Sequence, residues 1–473
     1  MTTLKDLQAT MHALIRRRTI FEQAKSHAVD YMDGVSKRPV FPEPEAIEAL
    51  TALPGELPET PGNGEALLNL LHRYGSPATV AQTGGRYFGF VNGSILPPAL
   101  AAKWLADTWD QNAGLYLMSP VASHLETLCE KWLVQLFGLP DGTAAGFVSG
   151  TSIATLCGLA AGRDELLKGL GWDIQRQGLF GAPKLQVVVG EQVHATVFTA
   201  LSILGLGRER IVRVAVDEQG CMDPEGLPQL DNRTLLIAQA GNVQSGGFDP
   251  LRHICPVARK AGAWIHVDGA FGLWAACSSA QRHLTEGMEL ADSWSADAHK
   301  TLNAPYDNGI ILCRNRAALL GAMEASGAYI GYSALRDGMR YTPEMSRRAR
   351  GVELWATLMT LGRAGVECLV AGLCDHARRC ADLLRGHHFK ICNRVDFNQV
   401  LVACERPELT TATLRHLQRS GICWCGGSTW NGEPVIRISV SSWQTTAGDI
   451  RRTADALVAA RNTALQEVSA RSS

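Results

Sequence analysis

Short apolar runs alternate with amphipathic stretches through the middle of this chain. Leu185–Val189, Ile211–Val216, Thr234–Ala238, Trp264–Val267 and Ile310–Cys313 are rich in Val, Ile and Leu and of strand length. Between them, Thr196–Leu204 and Leu251–Ala261 place apolar residues at helical spacing. Such alternation predicts an α/β fold, a mostly parallel sheet covered by helices on both faces. Ligands of such sheets bind at the carboxyl ends of the strands, so the residues just after each run are the ones to inspect.

The flanks read differently. Residues 5–33 predict a helical segment with one apolar and one charged face, and prolines at 39, 42, 44, 54, 58 and 61 then mark an irregular connector. Ser346–Ala364 predicts a long amphipathic helix, and the remainder mixes helix, strand and turn signals, with Pro434–Val440 the clearest strand. The expected organisation is an N-terminal arm and connector over 1–75, a large α/β domain over 76–365, and a smaller α+β domain over 366–473.

Composition narrows the function. Of 473 residues, 46% are hydrophobic and 19% charged, and the formal net charge is −1 without a long basic run. Nucleic acid and anionic membranes select concentrated Lys and Arg, so neither is an expected partner. No window approaches the ~20 apolar residues that span a bilayer, and the first residues, MTTLKDLQATMHALIRRR, lack the uninterrupted apolar core of a secretory signal. The thirteen cysteines are odd in number and scattered. They are expected as buried thiols in a reducing, cytoplasmic setting; Cys423 and Cys425 form a lone C-x-C, a weak metal or redox signal.

Candidate chemistry gathers at the strand ends. Lys300 closes DSWSADAHK, and a lysine in so weakly charged a segment is expected to have a depressed pKa and a nucleophilic neutral amine. Asp268 ends the Trp264–Val267 run, where a carboxylate can hold a heterocyclic nitrogen protonated. Ser149-Gly150-Thr151-Ser152 lies between the apolar run Ala144–Val148 and a helical stretch. Small hydroxylated residues there suit a phosphate, although alone they match any N-cap. His194 follows the strand ending near Gly190 and could stack on a planar ring; by itself it is as well read as a hydrogen-bonded core histidine.

The order of these features resembles the group II pyridoxal 5′-phosphate-dependent decarboxylases of fold type I, the glutamate, aromatic-amino-acid and diaminobutyrate decarboxylases among them. The resemblance runs from about Tyr87 to Asp449. It rests on SPVASHLETLCEKWLVQLFGLP at 119–140, HVDGAFG, DAHK, and YTPEMSRRARGVELWATLMTLGRAG. It implies the aspartate aminotransferase-like fold, with pyridoxal phosphate held as an internal aldimine on Lys300. It further implies that His299, Thr151 and Ser152 contact the phosphate, and that His194 stacks on the ring with Ala270 on the other face. Asp268 would pair with the ring nitrogen, Asn242 lie close to the cofactor, and Arg437, in VIRISV, receive the substrate α-carboxylate. A homodimer with active sites at the interface is implied as well.

Three departures stand out. Thr301 replaces the usual aromatic after the lysine, and Asp297-Ala298 replaces Asn-Pro before His-Lys. Aligning the paired arginines on Arg347 and Arg348 puts Gly338 where many relatives carry a catalytic tyrosine. Tyr329, Tyr332 and Tyr341 lie nearby, with Tyr332 the preferred substitute as proton donor. The implied reaction is loss of CO2 from an L-amino acid to give an amine. An aminotransferase, an aldol-type lyase, an aldehyde synthase or a non-catalytic cofactor-binding protein are the alternatives. The accepted side chain is not legible, although Tyr87, Phe88, Phe90 and Trp109 suggest an apolar wall.

Overall fold

The computed structural model describes residues 3–323 and 332–471. Its strands run β1 Tyr87–Phe88, β2 Ala144–Val148, β3 Gln186–Gly190, β4 Ile211–Val214, β5 Thr234–Gln239, β6 Trp264–Asp268, β7 Ser293–Asp297, β8 Gly309–Cys313, β9 Lys390–Ile391, β10 Gln399–Ala403, β11 Trp424–Trp430 and β12 Glu433–Ser439. Seven strands form one sheet in the order β2-β8-β7-β6-β5-β3-β4. The β4-β3-β5-β6-β7 pairings are parallel, and only β8 runs antiparallel to its two neighbours. The sheet is therefore mostly parallel, in the expected α/β architecture. Its central strands are buried on both faces, as sheets made by helical crossovers must be.

Strand β7 carries no apolar run, yet it is an interior strand of this sheet, between β8 and β6. Its polar residues are satisfied inside: Ser293 Oγ lies 2.8 Å from His266 Nδ1, and Ser295 Oγ 3.1 Å from Thr155 Oγ1. Hydrogen bonding of this kind removes most of the cost of burying a hydroxyl. Burial leaves His266 as a neutral imidazole, pushed down to about 3.

The second sheet has five strands in the order β1-β11-β12-β10-β9. Strand β1 pairs in parallel with β11, so a segment far upstream completes a sheet built from the C-terminal region. The helix Gly351–Arg385 links the two regions and bends at Gly362, whose φ of 58° is left-handed. It is long and apolar enough to cross a membrane by composition alone, where no such segment was expected. One face of it is taken up by packing: Leu354, Leu358, Val366 and Val370 join the core of the large sheet, and Ala377, Cys380 and Leu384 that of the small one. The expected boundary near 365 falls inside this helix. The arm is two helices, Leu4–Arg17 and Thr19–Gly34, separated by Arg18 at φ 62°.

The helix Pro120–Phe137 shows what the SPVASHLE segment does. Ser119 caps it, and the buried Glu126 receives Arg336 at 3.0 Å and Arg347 at 2.6 Å. This network anchors the 333–350 segment beside the large sheet.

Candidate active site

At the carboxyl ends of the parallel strands lies a cavity of about 230 Å³. Thr151, Ser152, His194, Asp268, Ala270, His299 and Lys300 all line it, together with Gly150, Thr196, Gln239, Gly241, Val243, Phe271 and Asp297. Residues spread over 150 positions of sequence meet there because each follows a strand of one sheet. Two close backbone approaches hold the walls. A Cβ on Gly93 would collide with the carbonyls of His299 and Lys300, and one on Gly309 with the backbone of Gly150.

One end of the cavity is the N-terminus of the helix Thr151–Gly169, where the helix dipole favours an anion and the first amide, Thr151 N–H, already donates to the Asp297 carboxylate at 2.7 Å. Thr151 Oγ1 is buried there without a hydrogen-bond partner among the described residues. Unmet buried hydroxyls are uncommon, so the cradle has the donors a phosphate group requires. His299 adds a third: its Nδ1 accepts from the Asn308 N–H at 3.0 Å, which leaves the proton on Nε2. Tyr306 stacks on its ring at 4.2 Å.

Asp268 closes the other end, buried and accepting the Ala270 N–H at 3.2 Å. Burial pushes its carboxyl upward, against the pull of His194 and Lys300. His194 caps the helix Ala195–Ile203, its Nδ1 accepting from the Thr196 N–H at 3.3 Å. Burial pushes this imidazole down, so a neutral ring faces the cavity.

The environment of Lys300 differs from the apolar one expected. Its Nζ lies 3.1 Å from Asp297 Oδ2, a buried carboxylate. Thr301, in place of an aromatic, donates its hydroxyl to the Phe271 carbonyl at 2.8 Å and ties the lysine turn to the loop after β6. Sequence reasoning registered Asp297 only as a departure and did not select Gln239, Phe271 or Thr196; position after a strand end was the available signal.

Three named residues are outside the lining. Asn242 spends its amide on structure: Oδ1 accepts from Gln244 and Ser245 N–H, and Nδ2 reaches the Gln192 carbonyl at 3.4 Å. Arg437, on β12, is buried behind the wall and donates to the Val243 carbonyl at 3.1 Å, while its Nε has no partner among the described residues. Tyr332 is half-buried with its ring against Arg340, whose guanidinium carbon is 4.7 Å from the ring centre. Tyr341 is committed to Arg316 at 2.7 Å, and Tyr329 lies outside the described residues. Of the expected apolar wall, Phe88 is core, Trp109 is exposed, and Tyr87 and Phe90 stack on Trp424.

Residues 48–404 match the pyridoxal-dependent decarboxylase conserved domain. The chain belongs to this family. It is 30% identical over 293 residues to an aspartate 1-decarboxylase of Aliivibrio fischeri, covering 59% of this chain and 51% of that enzyme. It is 25% identical over 464 residues to tryptophan decarboxylase 1 of Oryza sativa subsp. japonica, covering 90% of each. In fold it is similar to a crystal structure of Oryza sativa TDC with PLP and tryptamine, with TM-score 0.86 and 22% identity over 94% of this chain and 97% of that one. Membership makes the chain a pyridoxal phosphate-dependent amino-acid carboxy-lyase, and the cavity residues fit that cofactor.

Proposed function

We propose that the decarboxylation takes place in this cavity, with an L-amino acid entering and CO2 and the amine leaving. One observation carries the reading: two buried charges of opposite sign flank the site, Asp268 and Arg437, and neither has an ion-pair partner among the described residues. A buried charge without a partner is costly and marks a place for a ligand's counter-charge. When bound, pyridoxal phosphate supplies the electron sink. Lys300 provides the amine that holds it covalently, and Thr151, Ser152 and His299 receive the phosphate. His194 presents its ring face, Ala270 the opposite wall, and Asp268 keeps a proton on the ring nitrogen. Arg437 takes the α-carboxylate, a bidentate task suited to a planar guanidinium. Asn242 acts as a positioning residue by tying the loop after β5 to that after β3. A panel of L-amino acids followed for CO2, amine and aldehyde tests the reading; the expected result is CO2 and amine in equal amounts, and consumption without CO2 would overturn it.

The proton returned to the α carbon is assigned to Tyr332 Oη. A phenol, with a reference pKa of about 10, can donate a proton and remain neutral at pH 7. Tyr332→Phe, assayed in air, should divert product from amine toward aldehyde, ammonia and peroxide, with dissolved O2 consumed as the oxidant and cofactor binding unchanged. Amine formation at the wild-type rate without aldehyde would remove Tyr332 from the role.

The working unit is a homodimer with its active sites at the interface. Leu4, Leu7, Met11 and Ile15 form a stripe along the first helix, each 41–71% exposed, and no residue of that helix is buried in the protomer. An apolar stripe at this spacing needs a surface to cover it. The holoenzyme is expected to sediment as a dimer at micromolar concentration; an active monomer would contradict this. Cytoplasmic residence is part of the same reading, supported by thirteen unpaired cysteines, most of them buried.

A further inference from the structure

Asp297 stands inside the anion cradle. Its Oδ1 accepts the Thr151 N–H at 2.7 Å, the first amide of the helix Thr151–Gly169, and its Oδ2 lies 3.1 Å from Lys300 Nζ and 3.7 Å from His299 Nε2. A carboxylate thus holds the donor group from which a phosphate cradle is built. It cannot back away with its main chain. The Asp297 N–H donates to the Ala270 carbonyl at 2.8 Å, and its own carbonyl accepts from Trp274 Nε1 at 3.0 Å. Only side-chain rotation is left, in a residue 2% exposed.

A phosphate arriving at Thr151 and Ser152 therefore meets an anion that stays within the same small cavity. Two adjacent buried anions cannot both remain fully ionised at low cost. The groups facing Asp297 are Lys300 and His299 from its own turn, His194 from the helix Ala195–Ile203, Asp268 from the end of β6, and Tyr306. Of these, Lys300 is the one amine within ion-pair distance of the carboxylate, and a single positive charge cannot balance both a carboxylate and a phosphate dianion. Resting on the cofactor reading above, we propose that Asp297 is a phosphate ligand that binds as the carboxylic acid: the phosphate displaces it from the Thr151 N–H, and one proton is taken up from solvent with each phosphate and shared between the carboxyl and a phosphate oxygen. No other bond is made or broken.

The test uses the full chain freed of cofactor, with 4-deoxypyridoxine 5′-phosphate as probe and 4-deoxypyridoxine as its phosphate-free partner. Neither carries an aldehyde, so Lys300 forms no bond to them. Above about pH 7.5 the free phosphate monoester is a dianion, its second pKa being near 6. There the phosphate-dependent part of the affinity should fall about tenfold per pH unit, the slope of one proton taken up. Asp297→Asn should flatten that slope and bind the phosphorylated probe about tenfold or more tightly at the upper end of the range. Calorimetry of the wild-type chain in buffers of different ionisation heat should give about one more proton taken up with the phosphorylated probe than with its partner. Equal binding of the two probes would show that the cradle does not take phosphate, and the cofactor assignment would fail. Phosphate-dependent binding with no extra proton in the wild-type chain, or with the same slope in Asp297→Asn, would overturn the role of Asp297 alone.

Discussion

Replacing Lys300 with alanine is expected to abolish turnover while leaving the fold in place. The loss should be at least ~10³-fold, the scale on which deletion of a catalytic nucleophile acts. Its side chain is 22% exposed, and the only ion pair described for it is with Asp297. Its removal takes away a reactive amine and little packing, but it also leaves the buried Asp297 carboxylate without its cation, which lowers stability. In the wild-type holoenzyme, borohydride reduction and peptide mapping should place a pyridoxyl group on Lys300. A pyridoxyl group on another lysine, or an alanine variant that retains turnover, would contradict the assignment. A cooperative melting transition, even at a lowered temperature, separates chemical loss from collapse.

The second large effect is expected from Asp268→Asn. The substitution keeps shape and one hydrogen-bond acceptor but removes the charge proposed to keep the ring nitrogen protonated. Loss of a hydrogen bond to a charged group costs ~1.5–3 kcal/mol, and the weakened electron sink adds to it, so kcat/KM should fall by well over tenfold. Stability of the cofactor-free chain should move the other way. Burial raises the Asp268 carboxyl above its unfolded value, so its ionised form favours unfolding. That contribution to stability is present at low pH and is lost as pH rises through the folded pKa. At neutral pH the asparagine variant, freed of its ligand, should melt no lower than wild type. Near-normal turnover would show that another group protonates the ring.

The sequence made the site legible where chemistry coincides with a strand end, and less so where a residue's direction decides its role. Thr151, Ser152, His194, Asp268, Ala270, His299 and Lys300 each end or follow a strand of one sheet, so finding the strands was nearly enough to bring them together. Position could not say that Asn242 turns its amide into its own loop, or that Arg437 approaches from the other sheet behind Val243. Strand β7 escaped notice because its serines are paid for by buried partners, which erases the apolar signal of an interior strand. The two-residue strand β1 is made by a pairing to β11 across more than 300 residues, which no local pattern reports. The helix beginning at Gly351 was foreseen only in part, because Gly362 changes its direction without ending it.

That bent helix has a consequence for how the molecule comes apart. Its first half is part of one hydrophobic core and its second half part of the other, and β1 stitches the upstream chain into the C-terminal sheet. Neither layer can open without exposing apolar surface in its neighbour, so the two regions are coupled in unfolding and do not melt as beads on a string. The C-terminal region is in this sense not a module. Cut free near residue 365, it would lose an edge strand and half of the strut on which its core is packed.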